Sequence, residues 1–193
     1  MKTRILICTA LITGMLGVEA AAAPPAAAVE HFTATAVEMT SFMRVRLRPM
    51  EIVITRWSSE VEHQMLVTAL LENGPVAFLD RLCTFAPAGA IIVVGGREFT
   101  VRYAWQAWGA DGTRRIYVGF DEPVSLTTVR YRPTAEPLTF LELRIGRNGI
   151  GKAKFSDALR LSVDQTRNLI GLGDYENRPL DLIDVRSQMP FDE

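Results

Sequence analysis

Along this chain the apolar residues change period once and then change back. From Phe32 to Trp57 the pattern is strand-like: Met43, Val45 and Leu47 alternate with Arg44, Arg46 and Arg48. That is the period of a half-buried strand with a charged outer face. Pro49 interrupts the run, and Ile52 and Ile54 carry a second extended stretch through Thr55 to Trp57. The period then becomes helical. Ser59 and Glu62 have the spacing of a capping box, and Val61, Met65, Leu66, Ala69 and Leu70 form an apolar stripe. Asn73-Gly74 closes this helix and Pro75 opens a second, with Val76, Leu79, Leu82, Cys83 and Ala86 as its stripe. Pro87-Ala88-Gly89 ends it. The pattern predicts a helical hairpin over Ser59–Ala86 with one face in a core, and it turns His63 away from the Val61/Met65 stripe.

After Gly89 everything reads as β. Ala90–Val94 is a buried run and Gly95-Gly96 a turn. Phe99, Val101, Tyr103 and Trp105 alternate with Thr100, Arg102 and Ala104. Asp111-Gly112 and Asn148-Gly149 are hairpin signals. The first leads into Ile116, Val118 and Phe120; the second joins Leu138–Ile145 to Ile150–Phe155. Short strands are also expected near Val124–Tyr131, around Leu159–Val163, at Leu169–Leu172 and at Leu180–Val185. About nine or ten short strands around one helical hairpin predict an α+β domain, mainly antiparallel, as a barrel or sandwich. Strand and helix do not alternate, which argues against a doubly wound sheet.

The N-terminus changes the picture by adding a compartment. Lys2 and Arg4 precede the apolar stretch Ile5–Val18, and Ala20-Ala21-Ala22-Ala23 follows. A positive start, a short apolar run and small residues for cleavage define a secretory signal peptide. The run is shorter than the roughly 20 residues that span a bilayer. The expected division is a signal peptide at 1–22 cut near Ala22, an Ala/Pro lead-in at 23–30, and one β-rich domain at 31–193. The mature chain is then periplasmic or secreted, with no transmembrane helix.

Composition refines this. Losing Lys2, Arg4 and Glu19 with the leader takes the formal charge from −1 to −2, which argues against a nucleic-acid binder. The mature basic residues are arginines apart from Lys152 and Lys154, and arginine favours bidentate contacts with carboxylate and phosphate. Cys83 alone remains after the leader. An exported chain with one cysteine has no internal disulfide. Cys83 itself, on the second helical stripe, reads as a buried small hydrophobe.

Candidate chemistry is sparse. His31 falls at the edge of the lead-in, and two histidines without HxxxH or HxH spacing give no metal site. No cofactor motif is present: Gly149-Ile150-Gly151 and Gly171-Leu172-Gly173 do not lead from a strand into a helix, and read as hairpin or bulge glycines. GxSxG and SxxK are absent. Asp121 and Asp174 are the candidate catalytic carboxylates, within Asp121-Glu122 and near Glu176. The main cluster is aromatic and basic: Tyr103, Trp105, Trp108, Tyr117 and Tyr131 with Arg102, Arg114, Arg115, Arg130 and Arg132. Arginines over aromatic faces line pockets for acidic or aromatic ligands. Arg102, Tyr103, Trp105, Arg115, Tyr117 and Arg130 are therefore the candidate ligand-binding residues.

The chain resembles a family of uncharacterised secreted bacterial proteins. The resemblance rests on Ile52–Ser58, Val101-Arg102-Tyr103-Ala104, Asp111–Ile116 with Asp121-Glu122-Pro123, and Pro179-Leu180-Asp181-Leu182. It spans roughly residues 32–186 and implies export and a single domain, with no assigned activity. Together these features point to an exported, non-enzymatic domain that binds a small molecule or an envelope protein through its sheet. The alternative is a hydrolase using carboxylates with arginine as electrostatic partner.

Overall fold

The computed structural model describes residues 29–39, 45–124, 138–157, 161–172 and 180–188. Residues 1–28, which hold the expected leader, and Arg130, Tyr131, Arg132, Asp174 and Glu176 lie outside the described residues. Ten strands and one helical element follow in order: β1 Glu30–Met39, β2 Val45–Ile54, α1 Glu60–Leu82, β3 Gly89–Val93, β4 Glu98–Trp108, β5 Arg114–Val124, β6 Leu138–Ile145, β7 Ile150–Asp157, β8 Leu161–Asp164, β9 Leu169–Leu172 and β10 Leu180–Ser187. The fold is α+β, as the periodicity predicts.

Eight strands close an antiparallel barrel. β1 through β7 are neighbours in sequence order, each of β1 to β6 hydrogen-bonded to the strand after it, and β10 closes the ring between β7 and β1. Among the described residues, two excursions leave this meander. One is α1, between β2 and β3; the other is the separate β8–β9 hairpin, between β7 and β10. The barrel interior is solid. Phe32, Ile52, Ile91, Val101, Ile116, Val118, Leu141, Leu143 and Phe155 are fully buried there in one apolar cluster. Near-complete burial of so many large side chains is the main stabilising term for a domain without disulfides. At one end Arg114, only 6% exposed, donates to both Glu30 carboxylate oxygens at 2.7 and 2.8 Å and to Gln106 at 2.8 Å, with its guanidinium 5.3 Å from the Trp57 ring centre.

The hairpin turns behave as their residues require. Gly112 and Gly149 take φ of +75° and +73°, where a side chain would be strained.

Two alternations differ from the sequence pattern. β2 runs unbroken through Pro49 and keeps the phase of Met50, Ile52 and Ile54, so Leu47 points to solvent and Arg48 shares the interior side. The long buried apolar set wins over the shorter run before Pro49. In β4 the register shifts between Val101 and Tyr103, a bulge opposite Phe120 and Gly119 of β5. The extra residue reverses the phase: Phe99, Val101 and Ala104 face the interior, whereas Tyr103 and Trp105 join the cluster outside the barrel. A plain period of two had placed all four aromatic and apolar residues on one face.

The helical hairpin forms, and its buried face keeps Leu66, Ala69 and Leu82 of the expected stripes but is rotated away from Val61, Met65, Val76 and Cys83. Ser59 caps α1 in a reciprocal capping box with Glu62. Gly74 breaks the element with φ +77° and ψ −171°, just before Pro75. Arg56 then holds both of its ends: it donates to the Glu62 carboxylate at 3.0 Å and to the carbonyls of Ala86 at 2.6 Å and Pro87 at 3.0 Å. A straight helix of this length would carry its ends roughly 35 Å apart, so one guanidinium can reach both only because the chain doubles back. The buried positions of the first half are His63, Leu66, Val67 and Ala69, with Leu70 packed beside Leu66 and Val67 in one apolar cluster. Val61, Met65 and Val76 are exposed, and so is Cys83, which caps the C-terminus beyond the packed turn. His63 can lie inside because both ring nitrogens find partners there, a possibility that hydrophobic patterning does not register. His31 is likewise no lead-in residue; it pairs with Val53 within the β1–β2 ladder.

Candidate anion-binding pocket

Both excursions land on the same outer face of the barrel, that of β4, β5 and β6. Tyr103, Tyr117 and Phe140 from these strands form a second core with Leu66, Phe78 and Leu82 of α1 and Ile170 and Leu172 of β9. Gly119 lets α1 come this close, because a Cβ there would lie 3.3 Å from Leu82.

The helix and the β8–β9 hairpin are joined by a buried polar link. His63 Nδ1 lies 2.7 Å from the Tyr103 hydroxyl and Nε2 lies 2.7 Å from the Asn168 carbonyl, in the turn between β8 and β9. A carbonyl only accepts, so Nε2 carries the proton and Nδ1 accepts from the Tyr103 O–H. Trp105 stacks on the imidazole at 4.2 Å with its plane tilted by 5°. Burial pushes the Tyr103 hydroxyl well above the usual phenol range; repulsion from an ionised Tyr117 at alkaline pH and the Glu60 carboxylate add to this.

Between the β8–β9 hairpin and the sheet lies a polar cavity of about 140 Å³. Arg115 and Tyr117 of β5 and Glu142 and Arg144 of β6 form its floor; Ser162, Asp164 and Arg167 line the hairpin side. Gly171 closes it from β9, pressed on Tyr117 at 3.3 Å from where its Cβ would be. Glu142 is only 2% exposed and accepts from Arg144 Nε at 2.8 Å and from the Leu172 N–H at 3.2 Å. Asp164 accepts from the backbone N–H groups of Thr166 at 3.0 Å and Arg167 at 3.2 Å, holding the turn. Burial raises Tyr117 above the usual phenol range and the Glu142 charge adds to it, with Arg115 and Arg144 partly offsetting both. Tyr117 is therefore a neutral phenol at ordinary pH. The Arg115 guanidinium lies beside its hydroxyl, and its O–H is a donor. The Arg115 Nε is buried with no hydrogen-bond partner.

Three guanidinium groups thus face two carboxylates that are already engaged. The surplus is positive, and the donors suit an oxyanion.

Of the six candidate ligand residues, this cavity brings together Arg115 and Tyr117. Tyr103 and Trp105 sit behind it in the His63 link. Arg102 is elsewhere, donating to Asp121 at 2.6 Å and to the Phe85 carbonyl at 3.0 Å. The Asp121 carboxylate is therefore tied into a half-buried ion pair, and neighbouring Glu122 is bound by Arg97 at 2.6 Å. Arg130 and Asp174 lie outside the described residues. Sequence reasoning missed His63, Glu142, Arg144, Asp164 and Arg167. Glu142 and Arg144 did carry a signal, as charged residues at alternate positions between Leu141, Leu143 and Ile145. Among the described residues no three His, Cys, Asp or Glu side chains are grouped to hold a metal ion, and no helix is long and apolar enough to cross a membrane.

No family model, no curated protein and no solved structure matches the chain.

Proposed function

We propose that this is an exported binding domain for a small oxyanion, a carboxylate or phosphate group held under the β8–β9 hairpin. The observation that carries the reading is the charge around the cavity: Arg115, Arg144 and Arg167 against Glu142 and Asp164. Arg115 and Arg167 supply bidentate-capable donors, and the Tyr117 O–H supplies a neutral one. Size sets the ligand class. A water takes up about 30 Å³ in the liquid, so the cavity replaces about five waters and suits a group of similar heavy-atom count. At the ceiling of about 1.5 kcal/mol per heavy atom, a five-atom oxyanion reaches a Kd no tighter than about 3 μM.

Titration calorimetry with inorganic phosphate and with succinate tests this. Binding of either one, weakened at least tenfold in Arg115→Ala and in Arg167→Ala, is the expected result. Arg167 is more than half exposed, so its variant should keep the wild-type melting temperature. Absence of binding by both anions, or equal binding by both variants, overturns the proposal. Export rests on the leader, and N-terminal sequencing of the exported protein should begin at Ala23. An intact Met1 refutes that part alone.

A further inference from the structure

α1 has two apolar faces and the barrel covers only one. His63, Leu66, Val67 and Leu70 pack inward. Val61, Met65 and Ala69 form a second row at spacings of four residues along a groove between the two halves of the helical hairpin, with Val61 and Met65 exposed and Ala69 buried at the row's inner end. The groove measures about 820 Å³, with Ala77 and Thr84 on its other wall. Val61 is 63% exposed and Met65 44%. A solvated face has no use for such a row, and polar residues would support the helix as well.

Charge identifies what covers it. Glu60, Glu72 and Asp80 line the groove against the single cation Arg81. From Glu60 to Asn73 the first wall is about 20 Å long at 1.5 Å per residue, the length of a helix of some thirteen residues. Two antiparallel helices with an apolar trough between them are completed by a third, packed 8–10 Å away. We infer that this groove docks a basic amphipathic helix of a partner protein. Its apolar residues at helical spacing would lie on Val61, Met65 and Ala69, and its Lys or Arg residues would meet Glu72 and Asp80. The surface lies on α1, apart from the cavity under β8–β9, and the two inferences stand independently.

The test uses the full mature chain and a labelled fourteen-residue peptide with Leu at helical spacing and Lys at the flanking positions. Fluorescence anisotropy should report saturable binding. Met65→Glu should weaken it at least tenfold, and so should Glu72→Lys combined with Asp80→Lys. All three positions are at the surface, so far-UV circular dichroism and melting should match wild type. The charge-reversed variant should in turn bind a peptide carrying Glu in place of Lys, which a nonspecific cationic effect would not produce. Equal peptide binding by the variants overturns the inference. Sedimentation showing a dimer that Met65→Glu dissolves also overturns it, because the occupant would then be a second copy of this chain.

Discussion

Replacing Tyr103 by Phe tests the link that holds both excursions to the barrel. The substitution keeps the ring that packs in the outer core and removes one hydroxyl. That hydroxyl is the partner, at 2.7 Å, of a ring nitrogen on a fully buried histidine. The loss is therefore the cost of an unsatisfied buried acceptor, about 1–3 kcal/mol, and no cavity term is added. For a domain of this size each kcal/mol moves the melting temperature by about 2–4 °C, so a fall of roughly 2–12 °C is expected. Urea unfolding of Tyr103→Phe, of His63→Leu and of the double variant gives the assay. The two single losses should exceed the double loss by about 0.5–3 kcal/mol, because removing both partners leaves neither unsatisfied. Additive losses, or a Tyr103→Phe variant within about 0.3 kcal/mol of wild type, would mean that the bond does not form.

The same variant carries a pH signature. Burial raises the Tyr103 pKa in the folded chain, while the unfolded chain keeps the ordinary value near 10. Above about pH 10 the unfolded state sheds this proton and the folded state retains it. The stabilisation is thus complete below pH 10 and is lost as pH rises further. Tyr103→Phe should flatten the alkaline fall of the stability curve, leaving the smaller contribution of Tyr117. An alkaline limb of unchanged slope would place the hydroxyl in contact with water.

Two other substitutions probe how the excursions are anchored. Gly89→Ala should abolish the folded state, since its Cβ would sit 1.9 Å from the Val53 carbonyl oxygen at φ +157°; soluble, cooperatively melting protein would contradict the β2–β3 register. In Glu62, burial raises the carboxyl pKa, but the Arg56 hydrogen bonds, the Ser59 contacts and the guanidinium charge outweigh it and leave the pKa lowered. That stabilisation is present above the ordinary carboxylate range and is lost as pH falls through the depressed value. Glu62→Gln should cost at most about 1 kcal/mol at pH 7, the pair being in contact with solvent, and the two melting curves should converge once pH falls below the depressed pKa. A gap that persists in acid would remove the ion pair from the cause.

The turns and the strand count were legible because each rests on local chemistry. Asp111-Gly112 and Asn148-Gly149 need positive φ at the glycine, and Ser59 with Glu62 needs only its own first turn. What lay hidden depends on distant partners. His63 is polar by composition, yet it is buried because Tyr103, forty positions later, and Asn168, beyond β8, satisfy its two nitrogens. Met65 and Val61 have the spacing of a core stripe, and nothing local tells one apolar helix face from another. The cavity was half legible: Arg115 and Tyr117 stand out among aromatics, whereas Asp164 and Arg167 come to them only through the fold of the hairpin.

The site itself follows from the bulge at Arg102. Without the extra residue, Tyr103 and Trp105 would share the phase of Phe99 and Val101 and crowd an interior already filled by Phe120 and Phe155. With it, two large aromatics stand on the outside of β4 beside Tyr117 and Phe140. An aromatic patch of that size exposed on a sheet is costly unless it is covered. α1 and the β8–β9 hairpin supply the cover, and His63 joins them by bonding to both. Among the described residues the cover leaves a space beside β8–β9, where the sheet face changes from aromatic to charged at Arg115, Glu142 and Arg144. Apolar packing cannot continue across those residues, so a lined space remains whose charge surplus is positive. The cavity therefore marks the boundary between the apolar and charged parts of one sheet face. Filling it should tighten the hairpin, so phosphate or succinate at saturation should slow amide exchange at Leu169–Leu172 without changing the barrel strands.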